Sequence, residues 1–180
     1  LKEERFDDRE MLRKIDGHTK IAFVCNPNNP TGTYWSKEVL TGFLDAVGGR
    51  CIVVLDEAYC EFVDVQDYPD GVSLLAEYPN LVIFRTFSKM YGLAALRIGY
   101  LVGDMGVVDM VRRTCVVYSV NSIAQEAALA ALRDDTGHIL KTRALIRESK
   151  AFLRKEAEKM NLPVIANEGN YVILRLPGSD

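Results

Sequence analysis

Two histidines and four cysteines are all the imidazoles and thiols that this 180-residue chain offers to a metal. Cys25, Cys51, Cys60 and Cys115 are scattered, form no C-x-x-C pair and have no histidine beside them. Neither a zinc site nor a disulfide framework is written into that spacing; the cysteines read as buried thiols of a reducing compartment. His18 and His138 stand alone among polar neighbours and read as surface residues. No apolar run approaches the roughly 18 residues of a membrane span, and no signal-peptide pattern opens the chain, so a cytoplasmic location is the expectation. Positive charge is not in excess. Basic residues number 22 against 25 acidic ones, for a net charge of −3. That removes the electrostatic motive for nucleic acid or an anionic membrane as partner. Neither G-x-G-x-x-G nor G-K-[ST] occurs, which argues against the usual nucleotide-cradling loops. There is no internal repeat and no low-complexity tract.

What remains is an ordinary globular composition, 48% hydrophobic and 26% charged, in a chain long enough for one domain or one and a half. Four short apolar runs punctuate the first hundred residues: Ile21–Cys25, Cys51–Leu55, Leu81–Phe84 and Ile98–Val102. They are continuous rather than alternating, the pattern of strands buried on both faces. Between the first two, "SKEVLTGFLDAV" repeats Val39, Phe43 and Val47 at helical spacing, with Ser36 as a candidate N-cap. Strand, helix, strand predicts an α/β fold around a mainly parallel sheet. The opening "LKEERFDDREMLRKIDGHTK" reads as a charged helix with Met11, Leu12 and Ile15 on its apolar side. After Ser119 the pattern turns helical. "SIAQEAALAALR" is followed by a long amphipathic stretch with Ile139, Ile146, Leu153 and Met160 seven residues apart, and "PVIANEGNYVILRLPG" suggests a closing strand pair.

In an open parallel sheet, ligands gather beyond the carboxyl ends of the strands. "NPNNPTG" follows the first run, "DEAY" ends the second, and "RTFSK" follows the third. Singly these are a turn, a capped strand end and a solvated lysine; jointly they converge on one sheet edge. The chemistry that needs such a set is pyridoxal phosphate catalysis. It takes a lysine for a Schiff base, a carboxylate to pair with the pyridinium nitrogen, and donors for the ring oxygen and phosphate. Lys89 suits the first role and Asp56, a short carboxylate at a strand end, the second. Asn29 and Tyr59 can donate to the ring oxygen. Thr86 and Ser88 offer hydroxyls to the phosphate, and Arg97 a planar, permanently charged fork.

With "NPNNPTG", "DEAYCEF" and "SKMYGLAALRIG" in this order and spacing, the chain resembles the fold-type I, class I/II aminotransferases, and within them the histidinol-phosphate branch, through "FRTFSK", "YSVNSIAQEAALAAL" and "EGNYVILRL". The resemblance implies a three-layer α/β large domain, present in part over 1–120, bridging helices over 121–160, and the start of a small α+β domain over 161–180. It implies pyridoxal 5'-phosphate as cofactor, held by Asn29, Asp56, Tyr59, Thr86, Ser88, Lys89 and Arg97, with Lys89, Asp56 and Tyr59 as the catalytic members. It further implies amino-group transfer between a phosphorylated amine, histidinol phosphate, and 2-oxoglutarate, in a homodimer with shared sites. Alternatives on the same scaffold are an aromatic aminotransferase, a relative of the threonine-phosphate decarboxylases, or a non-enzymatic module. Where the family carries a Pro-rich approach to Y-x-V-N, this chain has "CVVYSVN", and Val116 and Val117 loosen that loop. The family's upstream phosphate-cradling helix start, its ring-stacking aromatic and its downstream carboxylate-binding arginine have no counterpart in these 180 residues. Arg175 does not stand in that arginine's motif. The chain resembles the middle of such an enzyme, without both ends.

Overall fold

The apolar runs become strands. In the computed structural model, which describes residues 5–134, 136–176 and 178, they form β1 (Ile21–Cys25), β2 (Ile52–Asp56), β3 (Leu81–Thr86) and β4 (Gly99–Gly103), side by side in that order. β1 and β2 pair in parallel, as do β2 and β3, while β4 runs antiparallel to β3 with Gly99 opposite Thr86. The sheet is mainly parallel, as expected.

One face of the sheet is closed by helices whose ends are written in the sequence. α1 (Asp8–Lys14) starts at Asp7, whose carboxylate accepts from the Glu10 amide at 3.0 Å. α2 (Lys37–Val47) starts at Ser36, whose hydroxyl accepts from the Val39 amide at 3.4 Å, and stops at Gly48. Leu40, Phe43, Leu44 and Val47 of α2 are buried against Ala22, Val24, Val53, Leu55, Leu81 and Ile83. Leu74 of the short α3 (Gly71–Leu74) and Tyr78 join the same core. The other face meets the expectation in part. Val54 and Val82 of the central strands are buried on it, whereas Ile21 is 49% and Phe23 57% exposed on β1, and Phe84 and Tyr100 are exposed on β3 and β4. The runs have the composition of strands buried twice over, but α1 and α2 cover only the side of β1 that carries Ala22 and Val24.

α4 (Met105–Thr114) adds a helix beyond those expected; Val107, Val108 and Val111 recur at helical spacing and are half-buried, and its cap, Asp104, accepts from the Gly106 amide at 2.8 Å. α5 (Ser122–Leu132) begins at Asn121, which accepts from the Ala124 amide at 2.8 Å. α6 (His138–Lys159) is the expected long helix, yet its seven-residue stripe is packed, and there only half-buried, in its first half alone. Ile139 and Ile146 pack on the cluster of Tyr59, Phe62 and Met90, whereas Leu153 and Met160 are exposed. β5 (Val164–Ile165) and β6 (Ile173–Leu174) form the expected antiparallel pair, two residues each. The cysteines are free thiols: Cys51 is buried, Cys25 and Cys60 half-buried. Cys115 is exposed, contrary to the buried-thiol reading, because it opens the exposed segment Val116–Tyr118. Among the described residues no helix is long and apolar enough to cross a membrane, and no cluster of ligating side chains is fit to hold a metal ion.

A buried ion pair joins the ends of β2 and β3. The Glu57 carboxylate is fully buried; Arg85 donates to its Oε2 from Nε at 2.8 Å and brings Nη2 into ion-pair contact with the same oxygen at 2.8 Å. Burial pushes the Glu57 carboxyl above its usual range, against the opposing pull of Arg85. Breaking one side of such a pair strands the other charge. Arg85→Leu is expected to lower stability by about 3–5 kcal/mol at neutral pH. A raised acid favours the folded state below its unfolded pKa, and that contribution is lost as pH rises through the folded one. The variant's deficit in urea unfolding should therefore shrink at acid pH; a deficit that grows on acidification contradicts the assignment. Phe43, 1% exposed in the core, sets a second expectation. Phe43→Ala should cost about 3–5 kcal/mol by the same unfolding measurement.

Candidate active site

Because β1, β2 and β3 are parallel, their carboxyl ends share one edge, and the start of the antiparallel β4 lies beside them. At this edge a cleft of about 630 Å³ opens. Asp56, Thr86, Ser88, Lys89 and Arg97 line it, with Ala58, Arg85 and Tyr100 among the remaining walls.

Asp56 is the last residue of β2 and half-buried. Its Oδ1 accepts from the Ala58 amide at 3.0 Å, which locks the carboxylate against the chain's next turn. Thr86 ends β3, and its hydroxyl accepts from the Ser88 amide at 3.1 Å, bending the backbone out of the sheet. The turn that follows is held by two buried anchors, Phe87 at 4% and Met90 at 2% exposure, with the Phe87 ring tilted against both Tyr91 and Tyr100. Between the anchors Lys89 is exposed, and its ammonium lies 5.3 Å from the centroid of the Tyr59 ring. His138, exposed as expected, brings a ring nitrogen to 2.9 Å from the Met90 carbonyl and ties α6 to this turn. Arg97 closes a 3-10 turn over Ala94–Leu96 in the left-handed region, φ 54°, and donates from Nη1 to the Ala94 carbonyl at 2.8 Å. That backbone costs a non-glycine residue about 1–2 kcal/mol. It is spent where it holds a guanidinium at the cleft.

Asn29 and Tyr59 stand beside the cleft rather than on its lining. Asn29 donates from Nδ2 to the Tyr59 hydroxyl oxygen at 2.8 Å, which leaves the Tyr59 hydrogen free to donate elsewhere. Tyr59 is itself buried. The loop carrying Asn29 is braced internally. Asn26 accepts from the Trp35 amide at 2.7 Å and donates to the Trp35 carbonyl at 3.2 Å, while Asn28 donates to the Thr31 hydroxyl at 2.8 Å. It is also braced from the far end of the chain. Asn167 donates to the Thr31 carbonyl at 3.0 Å, the Glu168 amide to the Gly32 carbonyl at 3.0 Å, and the Tyr171 hydroxyl to the Asn28 carbonyl at 2.7 Å. These contacts, like the Glu57–Arg85 pair, are absent from the sequence reading. They join residues up to 143 positions apart, and no spacing rule links them.

The cleft thus offers an amine, a fixed carboxylate, a guanidinium and two hydroxyls. Such a set fits a ligand with a carbonyl for the amine, a protonated ring nitrogen for the carboxylate and a phosphate for the rest.

The family described as aminotransferase class I and II matches residues 3–180. A histidinol-phosphate aminotransferase of an Anaeromyxobacter species is 45% identical over 172 residues, covering 95% of this chain and 47% of that protein. An aromatic amino acid aminotransferase of Thermobifida fusca is 43% identical over 183 residues, covering 98% of this chain and 49% of its own length. Among solved structures, the histidinol-phosphate aminotransferase of Sinorhizobium meliloti, in complex with pyridoxal-5'-phosphate, superposes with a TM-score of 0.79 at 32% identity, over 86% of this chain and 41% of that one. This chain spans about half the length of the curated relatives it matches. With the match running over residues 3–180 and the strand-end cleft in place, the chain belongs to the class I and II aminotransferases.

Proposed function

We propose that this chain carries the cofactor-binding centre of a pyridoxal-phosphate-dependent aminotransferase that moves an amino group between histidinol phosphate and 2-oxoglutarate. The observation that carries the reading is the joint presence of Asp56, Lys89 and Arg97 on one cleft at the carboxyl edge of a parallel sheet. The family is pyridoxal-phosphate dependent. The bound cofactor supplies an electron sink for bond breaking next to the substrate's amino group. In this reading the Asp56 carboxylate, already held by the Ala58 amide, pairs with the ring nitrogen and keeps it protonated. Lys89 Nζ anchors the aldehyde and, when free, is the base that carries a proton at the reacting carbon. Thr86, Ser88 and Arg97 hold the phosphate. Tyr59, supported by Asn29, donates to the ring oxygen.

Substrate class is supported by the histidinol-phosphate relatives at 42–45% identity. The Thermobifida fusca relative at 43% favours a second reading, an aromatic amino acid as donor. A homodimer with cytoplasmic location completes the proposal. The exposed run Val116, Val117 and Tyr118, at 77%, 74% and 96%, is apolar surface available to such an association.

Lys89→Ala in the whole protein should abolish the visible band of the loaded enzyme and lower turnover by roughly a thousandfold or more, with the unfolding midpoint of the cofactor-free protein unchanged because Lys89 is an exposed turn residue. Turnover near the normal rate in that variant refutes the role. Asp56→Asn should cost rate, by roughly a hundredfold, more than cofactor affinity; loss of cofactor at unchanged rate per loaded site contradicts its part. Assayed side by side, histidinol phosphate should exceed phenylalanine and tyrosine in kcat/KM, and the reverse order selects the aromatic reading.

A further inference from the structure

We infer that Tyr171 is a positioning residue for the Asn29–Tyr59 pair, acting from the β5–β6 segment through a hydrogen bond to the loop backbone and a ring contact to Tyr59. The inference rests on the proposed role of that pair toward the cofactor's ring oxygen.

Two contacts of one side chain carry it. The Tyr171 hydroxyl donates to the Asn28 carbonyl at 2.7 Å, on the residue just before Asn29. Its ring meets the Tyr59 ring edge-on, 5.1 Å between centroids and 85° between planes. Tyr59 and Asn29 are joined to each other at 2.8 Å. Tyr171 therefore touches both members' supports, the backbone under one and the ring of the other, and closes a loop of contacts around the pair. Such edge-on pairs favour one relative orientation over a stacked one. The Asn28 carbonyl also accepts from the Gly32 amide at 2.7 Å, so both of its lone pairs are engaged and its direction is fixed.

The neighbourhood makes this more than one tyrosine on a surface. Gly32 runs so close to the 167–168 backbone that a Cβ there would fall 2.3 Å from the Glu168 carbonyl oxygen, and Gly32 has φ +65°. Only glycine allows that approach. With the Asn167 and Glu168 bonds to the same loop, residues 167–171 form a clamp, and Tyr171 is the member whose ring meets Tyr59. Burial pushes the Tyr171 hydroxyl upward in pKa, so it remains a donor through neutral pH.

The physical consequence is on the Tyr59 hydrogen bond. Donors to the ring oxygen favour its ionised form and lower the pH at which the loaded protein's visible band titrates. If Tyr171 holds the Asn29–Tyr59 geometry, removing its hydroxyl weakens that donation without removing it. The test compares the whole protein, Tyr171→Phe and Tyr59→Phe, each loaded with pyridoxal phosphate and titrated by visible absorbance. Amide hydrogen exchange over residues 26–33 is measured without cofactor. The expected result is a midpoint raised by about half a pH unit in Tyr171→Phe, roughly threefold in the protonation equilibrium, in the same direction as Tyr59→Phe and smaller. Loop amides should exchange about fivefold faster, one hydrogen bond's worth. Phenylalanine keeps the ring, so the variant retains the packing that a role confined to the fold would need. A midpoint moved by Tyr59→Phe and untouched by Tyr171→Phe overturns the inference and leaves the functional reading standing. A wild-type protein that forms no titrating band overturns that reading, and the inference with it.

Discussion

The register of three parallel strands is the constraint on which every contact at the cleft depends. Cys25 pairs with Asp56 and Asp56 with Phe84, so β1 and β2 leave the sheet at the same level and β3 two residues further on, at Thr86. Side chains alternate along a strand, and a slip of one residue would turn Asp56 onto the face now filled by Leu55. That slip would bury an unpaired carboxylate among Leu40, Phe43 and Leu44 and lift Leu55 into water. The apolar core under α2 therefore does more than stabilise the fold. It sets which way the carboxylate points, and through the Ala58 amide the sheet holds it there.

From that edge outward, order is maintained by local anchors rather than by further regular structure. In the turn the Lys89 carbonyl accepts from the Gly92 amide at 3.0 Å; the side chain's position follows from Phe87 and Met90, buried to either side, and from the Tyr59 ring near its ammonium. Arg97 sits in a backbone conformation that opposes its Cβ, after a 3-10 turn whose first carbonyl, that of Ala94, accepts from its guanidinium. The Glu57–Arg85 pair lies just beneath, one strand residue away from both Asp56 and Thr86. An ion pair buried at that point favours one alignment of the two strand ends over its alternatives more than it adds net stability.

The sheet, α2 with its Ser36 cap, the long helix and the terminal strand pair were legible because each rests on a short-range signal: a Val- and Ile-rich run, a 3.6-residue period, a capping side chain. The cleft was legible for a different reason. Asp56, Thr86 and Lys89 follow strand ends, and parallel topology carries strand ends to one edge whatever the loops do. What escaped is what sequence spacing does not encode. The Tyr171–Asn28 and Asn167–Thr31 bonds depend on how the last segment folds back. The half-open second face of the sheet, with Ile21 and Phe23 exposed, depends on which helices are available to cover it. α4 escaped although Asp104 caps it and Val107, Val108 and Val111 recur at helical spacing, because its apolar side is short and only half-buried; Met160 was misplaced because a seven-residue period outruns the packed part of α6.

The central claim is that Lys89, among the lysines of this chain, is the one that bonds the cofactor. Reduction of the pyridoxal-phosphate-loaded whole protein with borohydride, followed by digestion and mass analysis, tests it without recourse to substrate. The account predicts one stoichiometric phosphopyridoxyl adduct on the peptide carrying Lys89, with the peptides of Lys37, Lys141 and Lys150 unmodified. An adduct distributed over several lysines, or a stoichiometric one elsewhere with Lys89 bare, would contradict it.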